Sequence, residues 1–225
     1  MDCLIFDFDG VIVDSEPMHL EGFQQVLAEV GIPLSREDYY TKYLGYDDHD
    51  CFATVLRDRG RPVDEAIIRE LTTRKTRLVQ QALERSIQPL PGARELILSA
   101  SAAKLPLAIC SGALRDEIHI AARAVGVDHC FATIVAARDV SAGKPDPQGY
   151  LLAIQRLRDI TGRPLSAARS IVIEDSPAGI EAGKRAGMAV LAVATSYPPA
   201  QLATADRVVD DLRAADLQLL ESIVA

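Results

Sequence analysis

Two aspartates, Asp7 and Asp9, stand two residues apart at the end of a short apolar run, and a second acidic pair, Glu174-Asp175, closes another such run far along the chain. Alternate residues of an extended strand leave the same face, so Asp7 and Asp9 are expected to project together. Carboxylates gathered in one cleft repel one another and cannot all stay ionised without a counter-charge. A hard divalent cation supplies it. Mg²⁺ suits an oxygen-only set, because it takes one or two carboxylates together with waters and phosphate oxygens. Two further positions point to the same ligand. Lys144, within Ala142-Gly143-Lys144-Pro145-Asp146-Pro147, offers a fixed positive charge for a phosphate. Ser111-Gly112 offers a hydroxyl and backbone N–H groups at the start of a helix, where anions are favoured. Taken singly these residues have ordinary readings: a solvated turn, a surface lysine, a helix N-cap. Their combination carries the argument.

Such residues must be positioned by elements that the apolar pattern reveals. Runs at 3–8, 105–110, 133–137, 170–173 and 188–194, with a weaker one at 207–209, read as buried strands. Helical patterns lie between and beyond them, around 93–102, 114–125, 147–160, 177–186 and 212–223. Strands alternating with helices imply an α/β fold, a Rossmann-like parallel sheet with helices on both faces. Parallel sheets bind ligands beyond the carboxyl ends of their strands, and that is where Asp7, Ser111, Lys144 and Glu174 fall. Asp146 is placed to N-cap the following helix, with Pro147 at its first position.

Residues 15–88 break the rhythm. No convincing strand is present, while Met18, Leu20, Phe23, Val26, Leu27 and Val30 recur at helical spacing, as do Ala66, Ile67, Leu71, Leu78, Ala82 and Leu83. An all-α insert of three to four helices is expected, punctuated by Gly31-Ile32-Pro33, by Ser35 as an N-cap with Asp38 at its N3 position, and by Gly60-Arg61-Pro62. The expected division is a catalytic core of 1–14 and 89–225 and a helical cap domain of 15–88.

Composition narrows the function classes. Lys+Arg of 24 against Asp+Glu of 32 gives a formal charge of -8 with no basic stripe long enough to compensate, which disfavours a polyphosphate partner such as nucleic acid. Cys3, Cys51, Cys110 and Cys130 form no CxxC pair, so no zinc ribbon or disulfide framework is expected, and a reducing, cytoplasmic setting is the default. The apolar runs are too short for a membrane span. Nothing demands an oligomer, and a monomer acting on a small phosphorylated metabolite is expected.

Asp7-Phe8-Asp9-Gly10-Val11, Ser111, Lys144 and Glu174-Asp175, in that order and each at a strand end or following loop, together resemble the four motifs of the haloacid dehalogenase superfamily of phosphotransferases. The helical insert sits where a subfamily with a small cap carries it. Asp14-Ser15-Glu16-Pro17-Met18-His19 and Glu174-Asp175-Ser176-Pro177-Ala178-Gly179 are similar to its β-phosphoglucomutase and sugar-phosphatase branch. The resemblance implies that Asp7 attacks phosphorus to form an aspartyl-phosphate and that Asp9 is general acid, then general base. It implies Mg²⁺ on the Asp7 side chain, the Asp9 main-chain carbonyl and Asp175, with Glu174 nearby or bound through water. Ser111, Gly112 and Lys144 would hold the phosphoryl oxygens.

In the insert the resemblance points to His19, Gly45 and Lys75 as substrate-facing residues, Gly45-Tyr46-Asp47-Asp48 being the loop that reaches over the site. Helix phase does not decide His19, and Lys75 also reads as one member of the basic run Arg74-Lys75-Thr76-Arg77. One departure bears on function. Where the mutases place an arginine for the second phosphate of a bisphosphate, this chain has Asp48, which is expected to repel that phosphate unless Arg57, Arg115 or another basic residue substitutes. The expectation is therefore a phosphatase, with a hexose-phosphate mutase as the alternative and a non-catalytic binding domain as a remote one. Dehalogenation is disfavoured by Asp9, since that branch lacks the second aspartate.

Overall fold

The computed structural model describes residues 1–224. Strands form where the branched and aromatic runs predict them: β1 (Leu4–Phe6), β2 (Leu107–Cys110), β3 (Thr133–Val135), β4 (Ile171–Glu174), β5 (Ala189–Val193) and β6 (Arg207–Val209). All pair in parallel, in the order β3-β2-β1-β4-β5-β6. Every residue of β1, β2 and β4 is buried, as central strands covered on both faces require.

The helices are α1 (Glu16–Glu29), α2 (Arg36–Asp38), α3 (Asp48–Asp58), α4 (Glu65–Ser86), α5 (Ala93–Ala102), α6 (Arg115–Ala124), α7 (Gln148–Thr161), α8 (Pro177–Arg185) and α9 (Leu217–Ile223). One sheet face packs Cys3, Ile5, Ala108, Cys110 and Val172 against Tyr150, Ala153, Ile154 and Leu157 of α7 and Ile180 of α8. The alternate residues Leu4, Phe6, Leu107 and Ile109 point the other way and are equally buried, with the Phe6 ring edge-on to Phe131 at 5.9 Å. The C-terminal helix is shorter than its pattern predicted. A 3₁₀ turn at Leu212–Ala214 comes first, and Asp216 then accepts from the Leu219 N–H at 2.7 Å to start α9 afresh.

The chain divides into two compact units, Met1–Asp14 with Ile87–Ala225, and Ser15–Ser86. The second junction falls at Ile87, two residues before the expected Pro89, because α4 runs on to Ser86. Within the sheet unit the outgoing and returning strands of chain pair at Val13 and Pro89, and the Leu90 N–H donates to the Ile12 carbonyl at 2.8 Å.

In the helical unit Ser35 does accept from the Asp38 N–H at 3.0 Å, yet α2 is a single turn that passes into a π-helical segment, Tyr39–Tyr43. α3 begins after Asp47, whose carboxylate accepts from the Asp50 N–H at 2.8 Å, and Asp64 serves Ala66 and Ile67 in the same way at the start of α4. The interior is built from Leu20, Phe23, Val26 and Leu27 of α1, Phe52, Val55 and Leu56 of α3, and Ile68 and Leu71 of α4. The phase of α4 differs from the expected one. Its buried stripe is Ile68, Leu71, Lys75, Val79 and Leu83, whereas Ala66 and Ile67 face outward. A lysine in the middle of the apolar stripe disguised it.

Candidate active site

The chain crosses the sheet one way from β1 to β3 and the other way from β4 to β6, so β1 and β4 flank the point where the order reverses. The Asp7 N–H donates to the Ile173 carbonyl at 2.9 Å, which sets Asp7 beside the end of β4. Carboxylate oxygens of Asp7, Glu174 and Asp175 consequently lie within 4.8 Å of one another. Lys144 Nζ reaches into them, 2.8 Å from Asp7 Oδ1 and 2.6 Å from Glu174 Oε1.

The Lys144 loop is held from several sides. Gln148 Oε1 accepts from the N–H groups of Ser141 and Ala142 at 2.9 and 3.1 Å, and Arg185 donates to the Pro145 carbonyl at 3.2 Å. Asp146 accepts from the Gln148 N–H at 2.9 Å. The helix begins one residue later than expected, with Pro147 in the N-cap position, but Asp146 still satisfies its first turn.

Burial pushes the Asp7 carboxyl upward; Lys144 opposes this, and the charges of Glu174 and Asp175 reinforce it. Asp175 is pushed up to about 6, chiefly by burial, with a hydrogen bond from Ser196 working the other way. Burial would also raise Glu174, but Lys144, Tyr150 and the Ser176 N–H outweigh it and hold Glu174 below the usual range. Lys144, despite its burial, is raised by Asp7 and Glu174 and stays protonated. Three carboxylates against one ammonium leave two negative charges uncompensated. That deficit, in an all-oxygen donor set, fits a hard divalent cation.

The candidate ligands are not equivalent. Glu174 Oε1 accepts from Lys144 and from the Tyr150 hydroxyl at 2.7 Å; Oε2 accepts from the N–H groups of Asp175 and Ser176 at 3.0 and 3.1 Å and from the Ser176 hydroxyl at 3.0 Å. Its lone pairs are thus occupied within the protein, and it braces the site, whereas Asp7 and Asp175 are the candidates with oxygens left for a cation. Two glycines make this packing possible. A Cβ on Gly179 would lie 1.8 Å from Glu174 Oε1, and one on Gly10, whose φ is +76°, would lie 1.9 Å from Asp175 Oδ2.

Asp9 is placed differently from the extended-strand expectation. β1 ends at Phe6, and the Phe8 carbonyl accepts from the N–H groups of Val11, Ile12 and Val13, so the backbone curls and Asp9 bridges to Val13. Its carboxylate is outside the Asp7, Glu174 and Asp175 cluster. Ser111 is buried; its N–H donates to the Val135 carbonyl at 2.9 Å and its Oγ accepts from the Ala113 N–H at 3.0 Å, which leaves the O–H to donate. The N-cap of α6 is Leu114, so Ser111 is not a helix cap. The position of a Cβ on Gly112 meets nothing within 4 Å, an open approach for a ligand. Arg115 lies in the sheet unit, where it and Arg156 both hold Asp139 and the Ile134 carbonyl.

Sequence reasoning missed Tyr150, Thr195 and Ser196. Thr195 donates to the Gly10 carbonyl and Ser196 to Asp175. Both follow directly on β5, and the strand-end rule could have found them. Tyr150 sat unnoticed in an apolar helical stripe.

Within the helical unit His19, Lys75 and Asp48 come together. Lys75 is fully buried; its Nζ is 2.7 Å from His19 Nδ1, paired with Asp48, and 4.4 Å from the centre of the Phe23 ring. Burial, and then the Lys75 charge, lower the His19 imidazole to about 3. Asp48 thus neutralises Lys75, where the sequence suggested a carboxylate directed at substrate. Gly45, with φ +87°, turns the chain between the π-helical segment and α3.

The family model "Haloacid dehalogenase-like hydrolase" matches residues 4–193. The chain belongs to this family. It is 30% identical over 220 residues to the validoxylamine A 7'-phosphate phosphatase of Streptomyces hygroscopicus subsp. limoneus, covering 92% of each chain. It is 28% identical to the phosphorylated carbohydrates phosphatase of Thermotoga maritima, covering 84% of this chain and 82% of that one. Among solved structures, CbbY from Rhodobacter sphaeroides in complex with phosphate superposes with a TM-score of 0.84 at 25% identity, over 98% of this chain and 99% of that one. A mutant of the same protein has been solved with xylulose-(1,5)bisphosphate, and it superposes over the same shares at 25% identity with a TM-score of 0.83. This haloacid dehalogenase-like hydrolase carries its buried acidic cluster within the matched span. Among the described residues, no helix is long and apolar enough to cross a membrane.

Proposed function

We propose that the protein is a Mg²⁺-dependent phosphatase that hydrolyses a small phosphomonoester of the sugar-phosphate class through a phosphorylated Asp7. The observation that carries this reading is the buried set of Asp7, Asp175 and Glu174 around Lys144 at the reversal point of the sheet. The names of the relatives support the substrate class, since one is a phosphorylated carbohydrates phosphatase and the other a phosphatase of validoxylamine A 7'-phosphate.

Asp7 and Asp175 would hold the cation, with the Asp9 main-chain carbonyl as the third protein ligand implied by the resemblance. When bound, Mg²⁺ supplies charge neutralisation for the acidic cluster and for the phosphoryl oxygens. The remaining chemistry belongs to the side chains. An Asp7 oxygen forms a bond to phosphorus as the bond to the leaving alcohol oxygen breaks, and Asp9 gives that oxygen its proton. Asp9 then takes a proton from water, whose oxygen bonds to phosphorus as the bond to Asp7 breaks. Lys144 has one N–H beyond those directed to Asp7 and Glu174, and Ser111 has its O–H; both are donors for oxygens that gain charge in the transition state.

The mutase reading is weakened by the helical unit. The branch's arginine is replaced by Asp48, and Asp48 in turn pairs Lys75, so that position adds no net cation for a second phosphate.

A panel of sugar monophosphates, extended to xylulose-(1,5)bisphosphate, tests the proposal by phosphate release. Activity is expected to vanish after chelation and to return with Mg²⁺. Undiminished release in chelator would contradict the metal assignment. Interconversion of hexose phosphates that outpaces phosphate release, with a sugar bisphosphate as activator, would make the enzyme a mutase.

A further inference from the structure

Tyr150 is fully buried in the third position of α7, among the apolar residues that cover one face of the sheet. A phenylalanine would fill that space. A buried tyrosine hydroxyl needs a partner, and this one finds the site itself. It donates to Glu174 Oε1 at 2.7 Å, the oxygen that also accepts from Lys144 Nζ at 2.6 Å, and Nζ stands 5.3 Å from the centre of the Tyr150 ring.

A carboxylate oxygen has two lone-pair sites, so these two donors fill Oε1. The other oxygen is held by the loop that follows β4. An ammonium has three N–H groups. Asp7 Oδ1 and Glu174 Oε1 take two of them, and their positions fix where the third points. Glu174 can set that direction only if Oε1 itself does not swing; the loop anchors the carboxylate through Oε2, and at Oε1 the donor beside Lys144 is the Tyr150 hydroxyl.

We propose that Tyr150 is a positioning residue for phosphoryl transfer: by occupying the second lone pair of Glu174 Oε1 it orients Lys144, whose remaining N–H is thereby directed to the transferring phosphoryl group. The proposal rests on the phosphatase reading above. It adds a residue that lies outside the motifs recognised in the sequence.

Tyr150→Phe keeps the ring and removes the hydroxyl. It is expected to lower kcat about tenfold, the equivalent of about 1.4 kcal/mol in the barrier. KM and the Mg²⁺ activation constant should stay within about twofold, because the lost interaction acts in the transition state. The decisive readout is a double-mutant cycle with Lys144→Met. In that background Tyr150→Phe should change nothing further, measured as turnover or, where turnover is too slow, as Mg²⁺-dependent inhibition by orthovanadate. An equal loss in both backgrounds, or an unchanged kcat in the single variant, would overturn the proposal. Site-specific 3-fluorotyrosine at position 150 retains the hydroxyl donor and is expected to preserve kcat; a loss of about tenfold there would also overturn it, and this arm stands even if the phenylalanine variant does not fold. Failure of the phosphatase reading shows separately, as full phosphate release by Asp7→Asn.

Discussion

Asp7→Asn is expected to lower kcat by about 10⁴-fold or more, the scale on which a covalent nucleophile is lost, while the protein stays folded. The asparagine fits the same space and still has an oxygen for Lys144. It also removes one of three mutually repelling carboxylates, which burial already disfavours in the charged form. Thermal unfolding of the apoprotein should therefore occur at the wild-type temperature or above it. This combination separates chemistry from folding. A variant that unfolds early would attribute the loss to structure, and one that keeps more than about a hundredth of wild-type turnover would remove Asp7 from the nucleophile's role.

Lys144→Met should differ from it in kind. The ammonium bridges Asp7 and Glu174 at 2.8 and 2.6 Å, and its removal leaves buried carboxylates facing each other with no counter-charge. Breaking a buried ion pair by deleting one partner costs roughly 3–5 kcal/mol, so a clear drop in unfolding temperature is expected together with a loss of turnover. Saturating Mg²⁺ should recover part of the stability, because the cation restores positive charge to the cluster, and little of the turnover, because the phosphoryl oxygens still lack the lysine donor. The check is a pair of melting curves with and without Mg²⁺, read beside the kinetics. Full recovery of turnover by the metal would mean that Lys144 only balances charge.

The two variants also mark what could be read from the sequence. Strand positions were legible because fully buried parallel strands are continuous apolar runs, and the residues that end them, Asp7, Ser111 and Glu174-Asp175, fall beyond the carboxyl edge of any parallel sheet. Lys144 was legible through the Gly143 and Pro145 that shape its loop.

Other features depend on partners distant in sequence. Nothing in the sequence around Glu174 shows that Tyr150 and Lys144 fill one of its oxygens, so the bracing contacts that hold this carboxylate beside Asp7 and Asp175 were not legible. Asp9 was expected beside Asp7 because the strand was assumed to continue; the three N–H groups on the Phe8 carbonyl end it sooner. In the helical unit Lys75 interrupts the apolar stripe of α4, which shifted the apparent phase, and its burial is possible because Asp48 and the Phe23 ring meet its charge. The C-terminal helix read as one because its apolar spacing survives the break that Asp216 makes.

In the proposed reaction, phosphate leaves the substrate by way of Asp7. Acid quenching during turnover in Mg²⁺, followed by borohydride capture and peptide mass analysis, tests this most directly. The acyl-phosphate signature is expected on the peptide that carries Asp7, at that residue, and is expected to be absent from Asp7→Asn. Capture at a different residue, with Asp7 unmodified while phosphate is being released, would contradict it.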